Sequence, residues 1–158
     1  MHSPHHSAPV LQLADEAATL ALGRQLAPCV APGMVIYLCG ELGTGKTTLA
    51  RGILWGLGYK RHVKSPSFAL VEVYEFSRLY LYHFDFYRFD DPQELGDAGF
   101  REYFNPAAAC LVEWPERAAA GLPAADLRIS MQIAGTGRRV EIFAATEAGN
   151  TCLECLRH

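Results

Sequence analysis

The octapeptide Gly40-Glu41-Leu42-Gly43-Thr44-Gly45-Lys46-Thr47 fits the pattern G-x-x-x-x-G-K-[ST], whose chemistry is the capture of phosphate. Its glycines let the backbone wrap a β-phosphate, while amide N–H groups and a following helix N-terminus present partial positive charge. Lys46 reaches toward a γ-phosphate, and Thr47 offers its hydroxyl to Mg²⁺. A lysine in a first helical turn opposes the helix dipole, so its place there makes sense when an anion meets it. The plainer alternative is a turn that merely joins a strand to a helix. Against it stands the context: an apolar run precedes the loop and an amphipathic segment follows it.

Triphosphate chemistry needs a second acid near the metal and a group that orients the attacking water or hydroxyl. Two carboxylates close apolar runs: Asp85 after Leu79-Tyr80-Leu81-Tyr82-His83-Phe84, and Glu113 after Cys110-Leu111-Val112. An acid at such a position is costly to bury unless it serves a cation or a partner, the alternative for each being a salt-bridged strand end. Lys64-Ser65-Pro66-Ser67 either senses a γ-phosphate through its hydroxyls or simply turns the chain into the next strand. His83 and Arg88 flank Asp85 and read as a half-buried histidine and a surface arginine, with tuning of Asp85 or contact with a partner as the alternative. Trp114 reads as core, with packing against a nucleotide as the alternative.

The elements that position these groups follow from the apolar pattern. Residues 10–13 read as a short strand, and Asp15 caps a helix running to about residue 27. Residues 34–39 form a continuous apolar run, the mark of a strand buried on both faces. A helix over 46–57 stops at Gly58, and strands at 68–76 and 79–86 pair antiparallel across Ser77-Arg78. Asp91-Pro92 opens a helix to 104, a buried strand covers 110–114, and residues 127–133 and 140–144 make a closing hairpin. The expected fold is α/β: a single-domain P-loop NTPase with a mixed, mostly parallel sheet flanked by helices and a C-terminal β-hairpin. The domain spans 8–146, with 1–7 and 147–158 as tails, the latter weakly patterned.

With 158 residues, half of them hydrophobic, the chain can bury one sizeable core. A net charge of -3 offers no broad basic surface for bare phosphate backbone, so DNA is not expected and any nucleic-acid role runs through a partner. No stretch reaches the roughly 18 apolar residues of a membrane span, and the start lacks a secretory pattern; a cytoplasmic protein is expected. Five cysteines, with Cys39 and Cys110 inside apolar runs, suit reduced thiols. Cys152-Leu153-Glu154-Cys155 has metal-ligand spacing but few nearby co-ligands, and reads as a tail with two thiols.

Together these segments resemble the TsaE family, formerly YjeE, over roughly residues 8–145. Besides the glycine-rich loop, the likeness rests on Val63-Lys64-Ser65-Pro66-Ser67, His83-Phe84-Asp85-Phe86-Tyr87-Arg88, Asp91-Pro92-Gln93-Glu94-Leu95 and Leu111-Val112-Glu113-Trp114-Pro115. The resemblance implies a small ATPase needed for threonylcarbamoyladenosine in tRNA. It implies that Lys46 and the amides of Leu42, Gly43, Thr44, Gly45, Lys46, Thr47 and Thr48 hold ATP phosphates. Thr47 and Glu113 would then hold Mg²⁺ directly or through water, and Asp85 would be essential for hydrolysis. Glu16, in the family's acidic start, and Arg138, in the closing hairpin, are implied near the nucleotide. The chain departs from the family at Ser67, commonly threonine, and at Ala69, commonly a second hydroxyl residue. The implied partners are the TsaD and TsaB proteins, which transfer the threonylcarbamoyl group to adenosine 37 of ANN-decoding tRNAs and which hydrolysis would reset between turnovers. A small-molecule P-loop kinase and a low-turnover nucleotide-binding regulatory subunit are the rival readings.

Overall fold

A computed structural model describes residues 9–60, 71–87, 100–118 and 121–157. The Lys64 to Ser67 segment, Ala69, Arg88 and the start of the Asp91-Pro92 helix lie outside the described residues. Of that expected helix the structure describes only a 3-10 turn at Phe100–Tyr103.

The described strands form one sheet in the order β1-β7-β6-β2-β5-β4-β3. They are β1 (Val10–Leu13), β2 (Val35–Cys39), β3 (Val71–Glu75), β4 (Tyr80–Asp85), β5 (Ala108–Glu113), β6 (Leu127–Ala134) and β7 (Gly137–Ala144). The four central strands β6, β2, β5 and β4 run parallel, and β1–β7–β6 and β3–β4 pair antiparallel at the two sides. The sequence dictates this layout. β5 is buried at every position and β2 at all but Tyr37, as continuous apolar runs covered on both faces must be. The outer strands β1 and β3 carry exposed or half-buried residues among buried ones, which suits thinner cover.

Side chains alternate between two cores, as the two-residue period of a strand requires. Ile36, Leu38, Leu81, Leu111 and Ile129 face the cluster built with helices α1 (Glu16–Leu26) and α2 (Lys46–Gly56). Val35, Phe84, Cys110 and Val112 face a second cluster, where Phe84 stacks on Phe86 and Phe104 with centroids 5.5 and 5.2 Å apart.

Helices α1 and α2 touch almost backbone to backbone. A Cβ on Gly23 would stand 2.6 Å from the Leu49 carbonyl oxygen, and one on Gly52 would stand 2.5 Å from that of Leu20. Only glycine fits both positions, and the contact brings the N-terminus of α1 beside that of α2. Arg78, in the β3–β4 turn, donates to the carbonyls of Val30 and Ala27 at 2.7 and 2.8 Å, closing the far end of α1.

Three sequence expectations are corrected. The hairpin is tighter: Ala134 pairs with Gly137, so β7 begins at Gly137 and the loop is Gly135-Thr136. Residues 147–157, read as a weakly patterned tail, form helix α3 (Glu147–Arg157), with Cys152 buried against the first core. Leu153 and Leu156 join Cys152 there, at the i, i+1 and i+4 positions of one helical stripe broken by polar residues that hid it from a short window. The expected reduced thiols give way to a disulfide between Cys29 and Cys155, while Cys39, Cys110 and Cys152 are free and buried. Distance along the chain concealed that pairing, since 126 residues separate the two sulfurs. Asp126 adds a second tie, accepting from the Val35 amide at 2.8 Å and from the Thr146 hydroxyl at 2.7 Å.

Reduction, or Cys155→Ser, is expected to lower the thermal midpoint by roughly 5–15 °C, since a native cross-link over so long a loop contributes about 2–5 kcal/mol. Calorimetric scans with and without a reductant check this; superimposable scans would contradict it.

Candidate functional site

The loop between β2 and α2 is shaped by backbone constraints. Gly40 has φ +148°, and a Cβ there would press to 2.5 Å from the Met131 carbonyl oxygen. Thr44, buried, donates its hydroxyl to the Glu41 carbonyl at 2.9 Å and closes the loop on itself. Gly45, with φ +99°, turns the chain into α2 and, as N-cap, offers the amides of the first helical turn no side-chain oxygen of its own. Arg138 braces the loop from the β6–β7 hairpin, donating to the carbonyls of Thr44 at 3.1 Å and Gly43 at 3.0 Å.

The loop, the start of α2 and the ends of β4 and β5 enclose a cleft of about 430 Å³. All the residues expected at the site and described here line it: Glu16, Leu42, Gly43, Thr44, Gly45, Lys46, Thr47, Thr48, Asp85, Glu113 and Arg138. Lys46 is only 6% exposed; its ammonium donates to the carbonyls of Gly40 and, at 3.3 Å, Glu41. It also sits 3.7 Å over the ring of Trp114, a close cation–π contact. Burial lowers the proton affinity of Lys46, against the pull of Glu113, Glu116 and Asp85.

Parallel pairing sets the two acids side by side, because Asp85 and Glu113 are register partners at the C-terminal ends of β4 and β5. Glu113 is buried, and both its oxygens stand 3.1 Å from the Thr47 hydroxyl. Asp85 accepts from the Tyr87 amide at 3.0 Å. Burial raises the proton affinity of Asp85 above the ordinary aspartate value, partly offset by that amide, and the nearby Glu113 charge raises it further.

Two expectations change here. His83, read as half-buried beside Asp85, is fully buried and turns instead to Glu113. Trp114, read as core, does pack against the second cluster, but it adopts a left-handed conformation with φ +57° and also forms a wall of the cleft with Tyr87, whose ring lies 4.9 Å away. Left-handed tryptophan stores backbone strain, on the order of 1–3 kcal/mol. Sequence reading gave Asp15 a capping role and a place beside Glu16 in the family's acidic start, and passed over Thr19, yet both line the cleft. Asp15 does cap α1, accepting from the Ala18 amide at 2.9 Å, and so fixes that helix end at the mouth. The signal for Thr19 was its four-residue step from Asp15 along one helix face. Glu16 reaches out to Arg51 at 3.4 Å.

Fold and site together define a mixed α/β protein in which a glycine-rich loop opens a helix beside two strand-end carboxylates. The family model described as "Threonylcarbamoyl adenosine biosynthesis protein TsaE" matches residues 13–140, and the chain belongs to that family. It is 40% identical to the tRNA threonylcarbamoyladenosine biosynthesis protein TsaE of Haemophilus influenzae over 88% of this chain and 91% of that one. Identity to the Bacillus subtilis protein of the same name is also 40%, over 89% of each chain. A crystal structure of Bacillus subtilis YdiB has a TM-score of 0.81 at 32% identity, covering 96% of this chain and 97% of that one. Among the described residues no helix is long and apolar enough to cross a membrane.

Because the folded protein holds the Asp85 proton more tightly than the unfolded chain, this carboxyl withdraws stability as pH rises through its raised value. Asp85→Asn is therefore expected to melt a few degrees above the parent at pH 7.5 and level with it near about pH 4. Paired thermal scans at the two pH values test this; a variant no more stable at neutral pH would refute it.

Proposed function

We propose that this chain is a Mg²⁺-dependent ATPase of the P-loop NTPase class, required for threonylcarbamoyladenosine at position 37 of ANN-decoding tRNAs. It acts in the cytoplasm on a TsaD–TsaB complex to allow turnover. The observation that carries the activity is the convergence of Lys46, Thr47, Asp85 and Glu113 on one cleft. Membership of a family described by that biosynthesis supports the pathway.

In this reading the loop amides and Lys46 hold the phosphates, with the ammonium exchanging its carbonyl partners for phosphate oxygens. That exchange offsets the burial that depresses its proton affinity. Thr47 and Glu113 suit Mg²⁺, since a hydroxyl and a carboxylate converge as hard oxygen donors. When bound, the ion would neutralise charge that develops on the phosphate oxygens during transfer to water. Asp85 orients that water and takes up its proton, a task its raised proton affinity suits. Glu16 and Arg138 frame the mouth, where the rest of the nucleotide would lie. The net charge of -3 fits contact with tRNA through the partner proteins rather than directly.

Phosphate release from ATP, measured for the full chain alone and with TsaD and TsaB, tests the proposal. The complex is expected to stimulate release, and Lys46→Ala or Glu113→Ala to reduce it about 100-fold or more. Turnover unchanged by the partners, or phosphate delivered to a metabolite, would overturn it.

A further inference from the structure

His83 lies on β4 in register with Leu111, two pairs before Asp85 and Glu113. Residues two apart on a strand share a face, so His83 and Asp85 point to the side on which Glu113 meets α2. The imidazole is fully buried, and its Nε2 stands 2.5 Å from Glu113 Oε2. Its Nδ1 is buried and has no hydrogen-bond partner among the described residues. A buried N–H left without an acceptor is costlier than a bare lone pair, which places the ring hydrogen on Nε2, pointing at the carboxylate.

Glu113 is therefore gripped from two directions, by His83 behind and Thr47 in front. A glutamate side chain has three rotatable bonds, and one buried beside the Asp85 and Lys46 charges has other orientations open to it. We propose that His83 is the positioning residue for Glu113. Its Nε2–H fixes the carboxylate so that both oxygens face the Thr47 hydroxyl and the cleft, which sets the affinity for Mg²⁺–nucleotide. The inference rests on the reading of the cleft given above. Partners that orient a metal-holding carboxylate typically change metal affinity about 10–100-fold when removed. His83 itself is closed off from solvent and does not line the cleft.

Chemistry offers a selective test. The amide nitrogen of glutamine can take the place of Nε2, whereas that of asparagine sits nearer the place of Nδ1 and falls short of Glu113. Binding of ADP to the full chain is measured by titration calorimetry with Mg²⁺ and with EDTA, for the parent, His83→Gln, His83→Asn and His83→Leu, with thermal scans to establish folding. Asparagine and leucine are expected to weaken Mg²⁺-dependent ADP binding about tenfold or more while leaving binding in EDTA unchanged. Glutamine is expected to restore it. If leucine binds Mg²⁺–ADP like the parent, or glutamine fares no better than asparagine, the positioning role is wrong while the reading of the cleft stands. A parent that binds ADP equally with Mg²⁺ and EDTA, or a Glu113→Gln variant with undiminished Mg²⁺ dependence, removes the reading of the cleft and this inference with it.

Discussion

The contact between Glu113 and the Thr47 hydroxyl joins the two halves of the cleft, and much of the fold exists to make it possible. Leu38 of β2 pairs with Glu113 of β5, so the strand that feeds the glycine-rich loop ends level with the acid that the loop must meet. The loop then has to return its helix over the sheet at the right height. Backbone contact at Gly23 and Gly52 sets that height by bringing α2 close against α1. Bulkier residues there would separate the helices and carry Thr47 away from Glu113.

Around this contact the protein keeps charge under cover at a cost. Lys46 is drawn below its ordinary proton affinity and Asp85 above its own, each mainly by burial. Their mutual attraction relieves only part of that, and Trp114 lends the face of its ring to the ammonium from a strained backbone. Local rules of stability are broken together at one place, which is the pattern of a site shaped for something other than stability.

Much of the architecture was legible because period and burial coincide in the chain. The apolar runs at β2 and β5 are too continuous for half-exposed strands, and the loop between β2 and α2 has a spacing that few other structures require. Asp85 and Glu113 were legible as acids that close such runs, and pairing in a parallel sheet does the rest. Other features depend on proximity without local pattern. The partner of His83 is 30 residues away, and a histidine inside an apolar strand gives no sign of which neighbour it will face. The cross-link from Cys29 to Cys155 is likewise invisible to spacing, and α3 shows its apolar stripe only once the body it packs on is known. The tryptophan after Glu113 looked apolar and therefore internal; its left-handed backbone follows from the sharp exit of β5 into Pro115.

Register between β4 and β5 carries information beyond pairing energy. A slip of two residues would keep every apolar side chain on its proper face and leave both cores nearly as well filled. It would also slide Asp85 and Glu113 about 7 Å apart along the strands. Hydrophobic burial is nearly blind to such an error, whereas the placement of the acids is not. The carboxylate pair thus acts as a vernier on the sheet, distinguishing the working alignment from near-degenerate neighbours that greasy contacts alone would tolerate.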